Sequence, residues 1–269
     1  MNITEITYHT FVPGIVNPPA SAAAGQALCE YMKNESPERS YSQMMRYRLS
    51  GSAAGECVDR YFIAMQGSQY IARLWHGWGK QKDAIGNFGN FATCEEFQKQ
   101  GIGRKLLTMW FEDIQNRSEP PLGLFCTSKM HLLDLYRRYG FVSAMRDASQ
   151  PAPLYKPCKS TAKTFQEFCE DYYTETKHLR IRRGTVSDRH EIDCLLKFAF
   201  CDHKKPFAWE NMPGFEPAFL AAISGAGNMP EVITADNGHI VGWAYTPING
   251  TRQIQLHWKY NAKDIEETL

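Results

Sequence analysis

The segment Gln98-Lys99-Gln100-Gly101-Ile102-Gly103-Arg104 carries the strongest chemical signal in the chain. Gly101 and Gly103 remove side chains where a strand-like run gives way to an amphipathic one, so the backbone can turn tightly and aim its N–H groups at a ligand. The helix beginning there adds the positive end of its dipole, and the ligand such a cradle suits is a pyrophosphate. The string is neither a G-K-[ST] phosphate loop nor the dinucleotide pattern G-x-G-x-x-G, and taken alone it also fits a plain turn. A second piece, Leu135-Tyr136-Arg137-Arg138-Tyr139-Gly140-Phe141, follows one strand and one helix later. His76, within Leu74-Trp75-His76-Gly77-Trp78, is a candidate base because imidazole titrates near neutrality, although a strand histidine flanked by tryptophans also fits a structural role. Glu35 and Glu38, in the polar stretch after the first helix, would either meet an amine or simply be solvated. Only Cys201-Asp202-His203 approaches metal-ligand spacing, and with no second close pair no metal site is expected.

At the two glycine-containing pieces the sequence resembles the Gcn5-related N-acetyltransferase (GNAT) superfamily. There, [QR]-x-x-G-x-[GA] opens the helix after the fourth strand and L-Y-x-x-x-G-F closes the helix after the fifth. The resemblance covers residues 1–158 in element order and residues 98–104 and 135–141 by motif. It implies a GNAT fold, a mixed and mostly antiparallel α/β (α+β) sheet flanked by helices, holding acetyl-coenzyme A as acyl donor. The pyrophosphate would rest on the amides of Lys99, Gln100, Gly101, Ile102, Gly103 and Arg104, with Gln98 opening the motif. The pantetheine arm would pair like an added strand with the backbone around Phe91 and Thr93, and an N–H near Ala92 or Thr93 would polarise the thioester carbonyl. Tyr136 falls where relatives carry a tyrosine that protonates the departing sulfur; its alternative is a core tyrosine. A phenol of pKa about 10 beside a thiol of about 8.5 can return that proton readily.

The chain departs from the family pattern in three places. Asn87 stands where several relatives place a general-base Glu, and an amide cannot accept a proton. Lys129 replaces the Asn that commonly precedes the fifth-strand helix, and Leu132 replaces the small residue facing the cofactor. His76 is then the substitute base on the neighbouring strand.

The elements that must position these groups follow from periodicity. Ala22 to Tyr31 reads as a helix after Pro18-Pro19, and a second piece ends at Arg46 to Ser50 before Gly51-Ser52-Ala53-Ala54-Gly55. Val58 to Met65 and Tyr70 to Trp78 read as a hairpin around Gln66-Gly67-Ser68, and Ile85 to Thr93 as a third strand. Ile102, Leu106, Trp110 and Ile114 recur every four residues, which predicts a helix over Gly101 to Gln115. Leu122 to Cys126 reads as a strand, Met130 to Tyr139 as a helix stopped by Gly140, and Phe141 to Met145 and Leu154 to Lys156 as strands. Thr161 to Thr174 reads as a linking helix.

The pattern then restarts. His178 to Arg183 is a strand, Ser187-Asp188 caps a helix through Phe200, and Glu216 to Ser224 is a second helix. Glu231 to Ala235, His239 to Tyr245 and Arg252 to Tyr260 are three strands. This order, strand–helix–helix–strand–strand–strand, repeats that before Gln98, so the expected division is 1–160 acetyltransferase domain, 161–176 linking helix and 177–269 truncated GNAT-like half. The second half has no Q-x-x-G-x-G and ends in Asn261-Ala262-Lys263-Asp264 and a short tail. Its expected role is a lid, an acceptor-binding wall or a surface for a homodimer. Its edge strand, left without a coenzyme-binding half, would seek the last strands of the first sheet.

Lys+Arg 30 against Asp+Glu 29 gives a net charge of +1, which argues against a protein that coats nucleic acid by excess positive charge. Hydrophobic residues at 43% and charged residues at 22% describe a globular chain and exclude wholesale disorder. No apolar run of about 18 residues suggests a membrane span. The N-terminal residues show no basic-then-apolar leader, and the Cys 8 are scattered without C-x-x-C, so a cytoplasmic protein with reduced thiols is expected. The expected function is acetyl transfer from acetyl-coenzyme A to a primary amine of a small molecule or protein. The expected partners are coenzyme A and the amine acceptor, with neither nucleic acid nor membrane. The alternatives are a catalytically silent acyl-coenzyme A-binding regulator and an interaction module whose glycines only make a turn.

Overall fold

The computed structural model describes residues 5–35, 40–143, 152–196, 215–246 and 251–266. Glu38, the end of the strand drawn to Met145, the helix end at Phe200, Cys201-Asp202-His203 and the turn at Asn249-Gly250 lie outside the described residues. The chain opens with β1 (Ile6–Phe11), α1 (Pro19–Asn34) and α2 (Ser40–Leu49), then β2 (Cys57–Gln66), β3 (Gln69–Gly79) and β4 (Gly86–Thr93). After a 3-10 turn at Glu95–Phe97 come α3 (Ile102–Gln115), β5 (Gly123–Ser128), α4 (Leu133–Arg137), β6 (Val142–Ser143), β7 (Ala152–Pro157) and α5 (Phe165–Tyr172). The remainder is β8 (Leu179–Arg183), α6 (Asp188–Cys194), α7 (Phe215–Ile223), β9 (Glu231–Thr234), β10 (Ile240–Tyr245), β11 (Gln253–Leu256) and β12 (Ile265–Glu266).

The strands form a seven-stranded sheet in the order β1-β2-β3-β4-β5-β7-β6 and a five-stranded sheet in the order β11-β10-β9-β8-β12. In the first sheet every neighbouring pair is antiparallel except β4 with β5. Strand alternation sorts β2 cleanly between two cores. Phe62 and Ala64 face α3, against Leu106, Leu107, Trp110, Tyr136 and Phe141. Tyr61 and Ile63 face the other way, into a core that runs from Leu28 of α1 through Phe168 of α5 to Ile192 and Trp243 of the second half. Burying Leu106 and Leu107 of α3 stabilises the fold by roughly 1.5–3 kcal/mol each. Their spacing with Trp110 and Ile114 is the stripe that made this helix legible.

Several elements differ from the expectation. Strand β1 was implied by the repeated element order but given no residues; five of its six residues are half-buried, and it pairs with β2 along its full length. The helix drawn over Met130 to Tyr139 is a 3-10 turn at Met130–Leu132 followed by five α-helical residues. The last large strand stops at Leu256, and His257 to Tyr260 turn instead. Ser187 takes the N-cap position of α6 without a capping bond; Asp188 accepts from the Thr185 N–H (2.7 Å) and pairs with Arg182.

The order β8-β9-β10-β11 repeats β1-β2-β3-β4, with every neighbouring pair antiparallel in both. The edge of the second sheet does not join the first sheet's last strands. Strand β12 covers β8 in parallel, and among the described residues the two sheets share no strand pairing. The halves meet instead through α6, which lies on β3 and β4, and through α7 against α2.

Candidate active site

Strands β4 and β5 run parallel but pair only at Gly86 with Leu124 and Asn87 with Phe125. Beyond that point β4 stays on β3 and β5 stays on β7, so a wedge opens between Phe88 and Cys126. A β-bulge re-aims β4 just inside the wedge. Between the pairs Trp75–Gly89 and Arg73–Ala92, β3 advances two residues while β4 advances three, and Asn90 takes φ +48°. Asn90 Oδ1 accepts from Arg73 Nε at 2.7 Å, and Arg73 also donates to Glu35 at 2.6 Å and to the Tyr70 hydroxyl at 2.9 Å. Glu35 is therefore engaged with Arg73, not with an acceptor site.

The backbone of β4 presents hydrogen-bonding groups to the wedge. The Cys94 N–H donates to the Ile71 carbonyl of β3 at 2.8 Å. Strand alternation turns the N–H and C=O of Thr93 the other way, to the open side, while Ala92 faces β3. Gln98 folds back and donates from Nε2 to the Thr93 carbonyl at 3.2 Å, which ties the motif's first residue to the end of β4. Phe91, Ala92 and Thr93 are half-buried.

The glycine loop sits at the same end. Lys99 has φ +62° and Gly101 φ +81°, the latter as the N-cap of α3. A Cβ at Gly101 would meet nothing within 4 Å, so the notch over the turn is open. One at Gly103 would lie 3.0 Å from the Phe91 ring, so the glycine lets the first turn of α3 settle against β4. The N–H groups of Ile102, Gly103 and Arg104 lack intrahelical acceptors and face this notch with the dipole behind them. Ile102 itself is a buried anchor, whereas Lys99, Gln100 and Arg104 are exposed. Gln100 donates to the Glu96 carbonyl at 3.2 Å.

Tyr136, on α4, is 5% exposed, with its ring edge-on to Phe88 at 5.8 Å and to Phe141 at 5.6 Å. Burial pushes its phenol above the ordinary tyrosine range, with a smaller contribution from Cys126. Both Phe88 and Cys126 mark the mouth of the wedge, so Tyr136 stands where the strands part. Gly140, at φ +83°, ends this helical stretch by donating its N–H to the Arg137 carbonyl at 3.0 Å. Lys129 is exposed at the end of β5, and Leu132 packs half-buried against the α3 core.

His76 is not at the wedge. It is fully buried on the α3 face of β3, edge-on to Phe62 and Trp78, and neither ring nitrogen has a hydrogen-bond partner among the described residues. Burial, then Arg117 and Arg60, push its pKa well below the ordinary imidazole range, and Asp113 at 3.6 Å is too distant for a hydrogen bond. The general-base role expected of His76 does not fit this placement. A broad groove of about 1200 Å³, lined in part by Arg60, Asp113 and Arg117, lies nearby at the C-terminal end of α3, the opposite end from the glycine loop.

Asn87 faces the other side of the sheet and lines a cavity of about 150 Å³ with Gly89, Asn90 and Thr127 from the two sides of the wedge. The second half closes this cavity with His190 and Asp193 of α6. Asn87 Nδ2 donates to Asp193 Oδ2 at 2.8 Å, and Asn87 Oδ1 is 2.8 Å from His190 Nδ1. Trp75 stacks on His190 at 6.0 Å and donates from Nε1 to Asp59 at 2.7 Å. Asp59 in turn holds the buried Arg48 at 3.1 Å; burial works against that guanidinium's charge, but Asp59 outweighs it and raises its pKa. His190, Asp193, Trp75 and Arg48 were not among the residues expected from sequence. The only signal for His190 was its place on a short helix in the repeat.

Residues 58–143, from β2 to β6, match the family model for the acetyltransferase (GNAT) domain. The chain therefore carries a GNAT acetyltransferase domain over these residues. The matched span contains the bulge, the wedge, the glycine loop and Tyr136. Similar solved structures include Escherichia coli ElaA (12% identity, 56% of this chain and 99% of that one, TM-score 0.42). An acyl-CoA N-acyltransferase from Pseudomonas aeruginosa (14%, 56% and 99%, TM-score 0.39) is another. A third is the PaiA N-acetyltransferase of Thermoplasma acidophilum in complex with coenzyme A (11%, 57% and 99%, TM-score 0.35). No curated protein matches the chain. Among the described residues no helix is long and apolar enough to cross a membrane.

Proposed function

We propose that the GNAT domain transfers an acetyl group from acetyl-coenzyme A to a primary amine on a small molecule or a protein. The observation that carries this reading is the alignment, around one wedge, of an open phosphate notch, an outward-facing strand backbone and a buried tyrosine hydroxyl. The notch suits a pyrophosphate: Gly101 leaves it empty of side chain, and the first-turn N–H groups of α3, Ile102 to Arg104, have no intrahelical acceptors. Thr93 supplies the outward N–H for the thioester side, and Tyr136, kept protonated by burial, supplies the proton that the departing sulfur needs. Lys129, exposed at the end of β5, is a further cation for the donor's phosphates.

Residues 1–160 form the acyltransferase domain in this reading, 161–176 the connecting segment around α5, and 177–269 a truncated repeat of the first half. The repeated strand order supports that division, and the chain after β11 continues without a glycine loop. Of lid, acceptor wall and dimer surface, the acceptor wall is favoured, because α6 closes the cavity beside Asn87.

A thiol-release screen with acetyl-coenzyme A over polyamines, aminoglycosides, amino acids and peptides tests the activity. Turnover with at least one amine class is expected. Tight acetyl-coenzyme A binding with no turnover across the panel would contradict it and leave a silent regulator. Absence of binding would reduce the glycines to a turn.

A further inference from the structure

The cavity beside Asn87 contains a hydrogen-bonded relay with one self-consistent set of donor directions. Asp193 Oδ1 lies 3.4 Å from Arg189 Nη1, so the buried carboxylate is held as an anion and can only accept. Its Oδ2 therefore takes the proton-bearing end of Asn87, the Nδ2 at 2.8 Å. That fixes the amide, and Asn87 must present its oxygen to His190 Nδ1 at 2.8 Å. An amide oxygen accepts, so the proton sits on Nδ1 and the lone pair of the imidazole is on Nε2. The ring is held flat by Trp75 beneath it, itself anchored on Asp59. A carboxylate, an amide and a tryptophan thus fix one tautomer of one histidine, in a cavity whose other walls include α2 and the two strands that part at the wedge.

We propose that His190 is the general base that takes the proton of the incoming amine, and that Asn87 and Asp193 are positioning residues acting through it. This rests on the acetyl-transfer reading above. The amine nitrogen forms the C–N bond at the thioester carbonyl and its proton passes to His190 Nε2. The C–S bond breaks, the electron pair goes to sulfur, and sulfur takes the Tyr136 proton; solvent then takes the extra proton from His190 and supplies one to the Tyr136 phenolate. The site is then shared between the two halves. Charged groups around the imidazole are Arg189 and Asp193 on its own helix, Glu216 of α7 on Arg189, and Arg48 of α2 paired with Asp59 of β2.

The test is His190→Asn, whose side-chain amide can still donate to Asn87 but cannot take a proton. Once wild-type turnover with an amine is in hand, His190→Asn should lose roughly 10²–10⁴-fold in kcat/KM. Acetyl-coenzyme A affinity by calorimetry should stay unchanged, and the acid limb of the kcat/KM–pH profile should vanish. Asp193→Asn, which removes the anion that the relay places beside the imidazole, should keep that limb but move it to lower pH, a shift that a merely structural role would not produce. Full turnover in His190→Asn with wild-type pH dependence would overturn the proposal while leaving acetyl transfer intact. If His190→Asn fails to fold, an unmoved acid limb in Asp193→Asn overturns it equally. A wild-type protein that binds acetyl-coenzyme A and acetylates no amine would remove both readings.

Discussion

Replacing Tyr136 by Phe removes one hydroxyl and little else. The ring is packed edge-on between Phe88 and Phe141, and Phe keeps both contacts, so the fold should lose no more than the roughly 0.5–1.5 kcal/mol net of a single hydrogen bond. If the hydroxyl protonates the departing sulfur, turnover should fall by roughly 10²–10⁴-fold, or about 2.7–5.4 kcal/mol of transition-state stabilisation at 1.36 kcal/mol per decade. Coenzyme affinity should barely change, because the notch at Gly101 is built from other residues. Burial raises the phenol's pKa above its ordinary value of about 10, so the wild-type donor stays protonated and kcat should show no alkaline loss from Tyr136 below that pH. Steady-state kcat from pH 6 to 10, a calorimetric titration of acetyl-coenzyme A and a thermal melt together read these terms. A Phe variant with full kcat and an unchanged pH profile would refute the reasoning and leave Tyr136 as a core residue.

Two further outcomes are expected. His76 is neutral in the fold with its pKa below the unfolded value of about 6.5, so acidification below that value favours the unfolded chain, by at most about 1.4 kcal/mol per pH unit until the folded pKa is reached. His76→Phe should flatten that acid-side loss in denaturant melts between pH 5 and 8, and identical slopes in both proteins would contradict a buried neutral imidazole. Ending the chain at Thr176 removes α6 and α7, strips Trp75 and Asn87 of their cover and costs on the order of 1.5–3 kcal/mol per large side chain exposed. Aggregation or a raised acceptor KM is expected; a monomer with the parent's melting temperature and acceptor KM would make the second half an independent appendage.

What was legible in the sequence was whatever one element encodes by itself. The four-residue stripe of α3, the hairpin of β2 and β3 and the two glycines at 101 and 103 are local signals, and each sits where expected. The bulge at Asn90 is set by pairing with β3, which no local pattern states. Helix α6 shows why His190 was missed. Every residue from Asp188 to Cys194 is buried, charged ones included, because the helix lies between the first sheet and β10. It has no apolar stripe to announce a face, and His190 meets Asn87 across 103 positions of chain. His76 misled for the opposite reason: its neighbours marked a strand correctly, but the parity of β3 turns it under α3 and away from the wedge.

Donor binding depends most directly on the notch at Gly101. A Cβ there meets open space, so Gly101→Glu adds strain of about 1–2 kcal/mol from the left-handed backbone and a carboxylate where the pyrophosphate should lie. At about 4 Å that repulsion is worth about 1–4 kcal/mol per charge pair between bulk water and a protein surface. Calorimetric titration of acetyl-coenzyme A into the wild-type chain and into folded Gly101→Glu should show saturable binding in the first. In the variant it should show a loss of at least about tenfold. Equal affinity in the two proteins, or none in the wild type, would contradict the account.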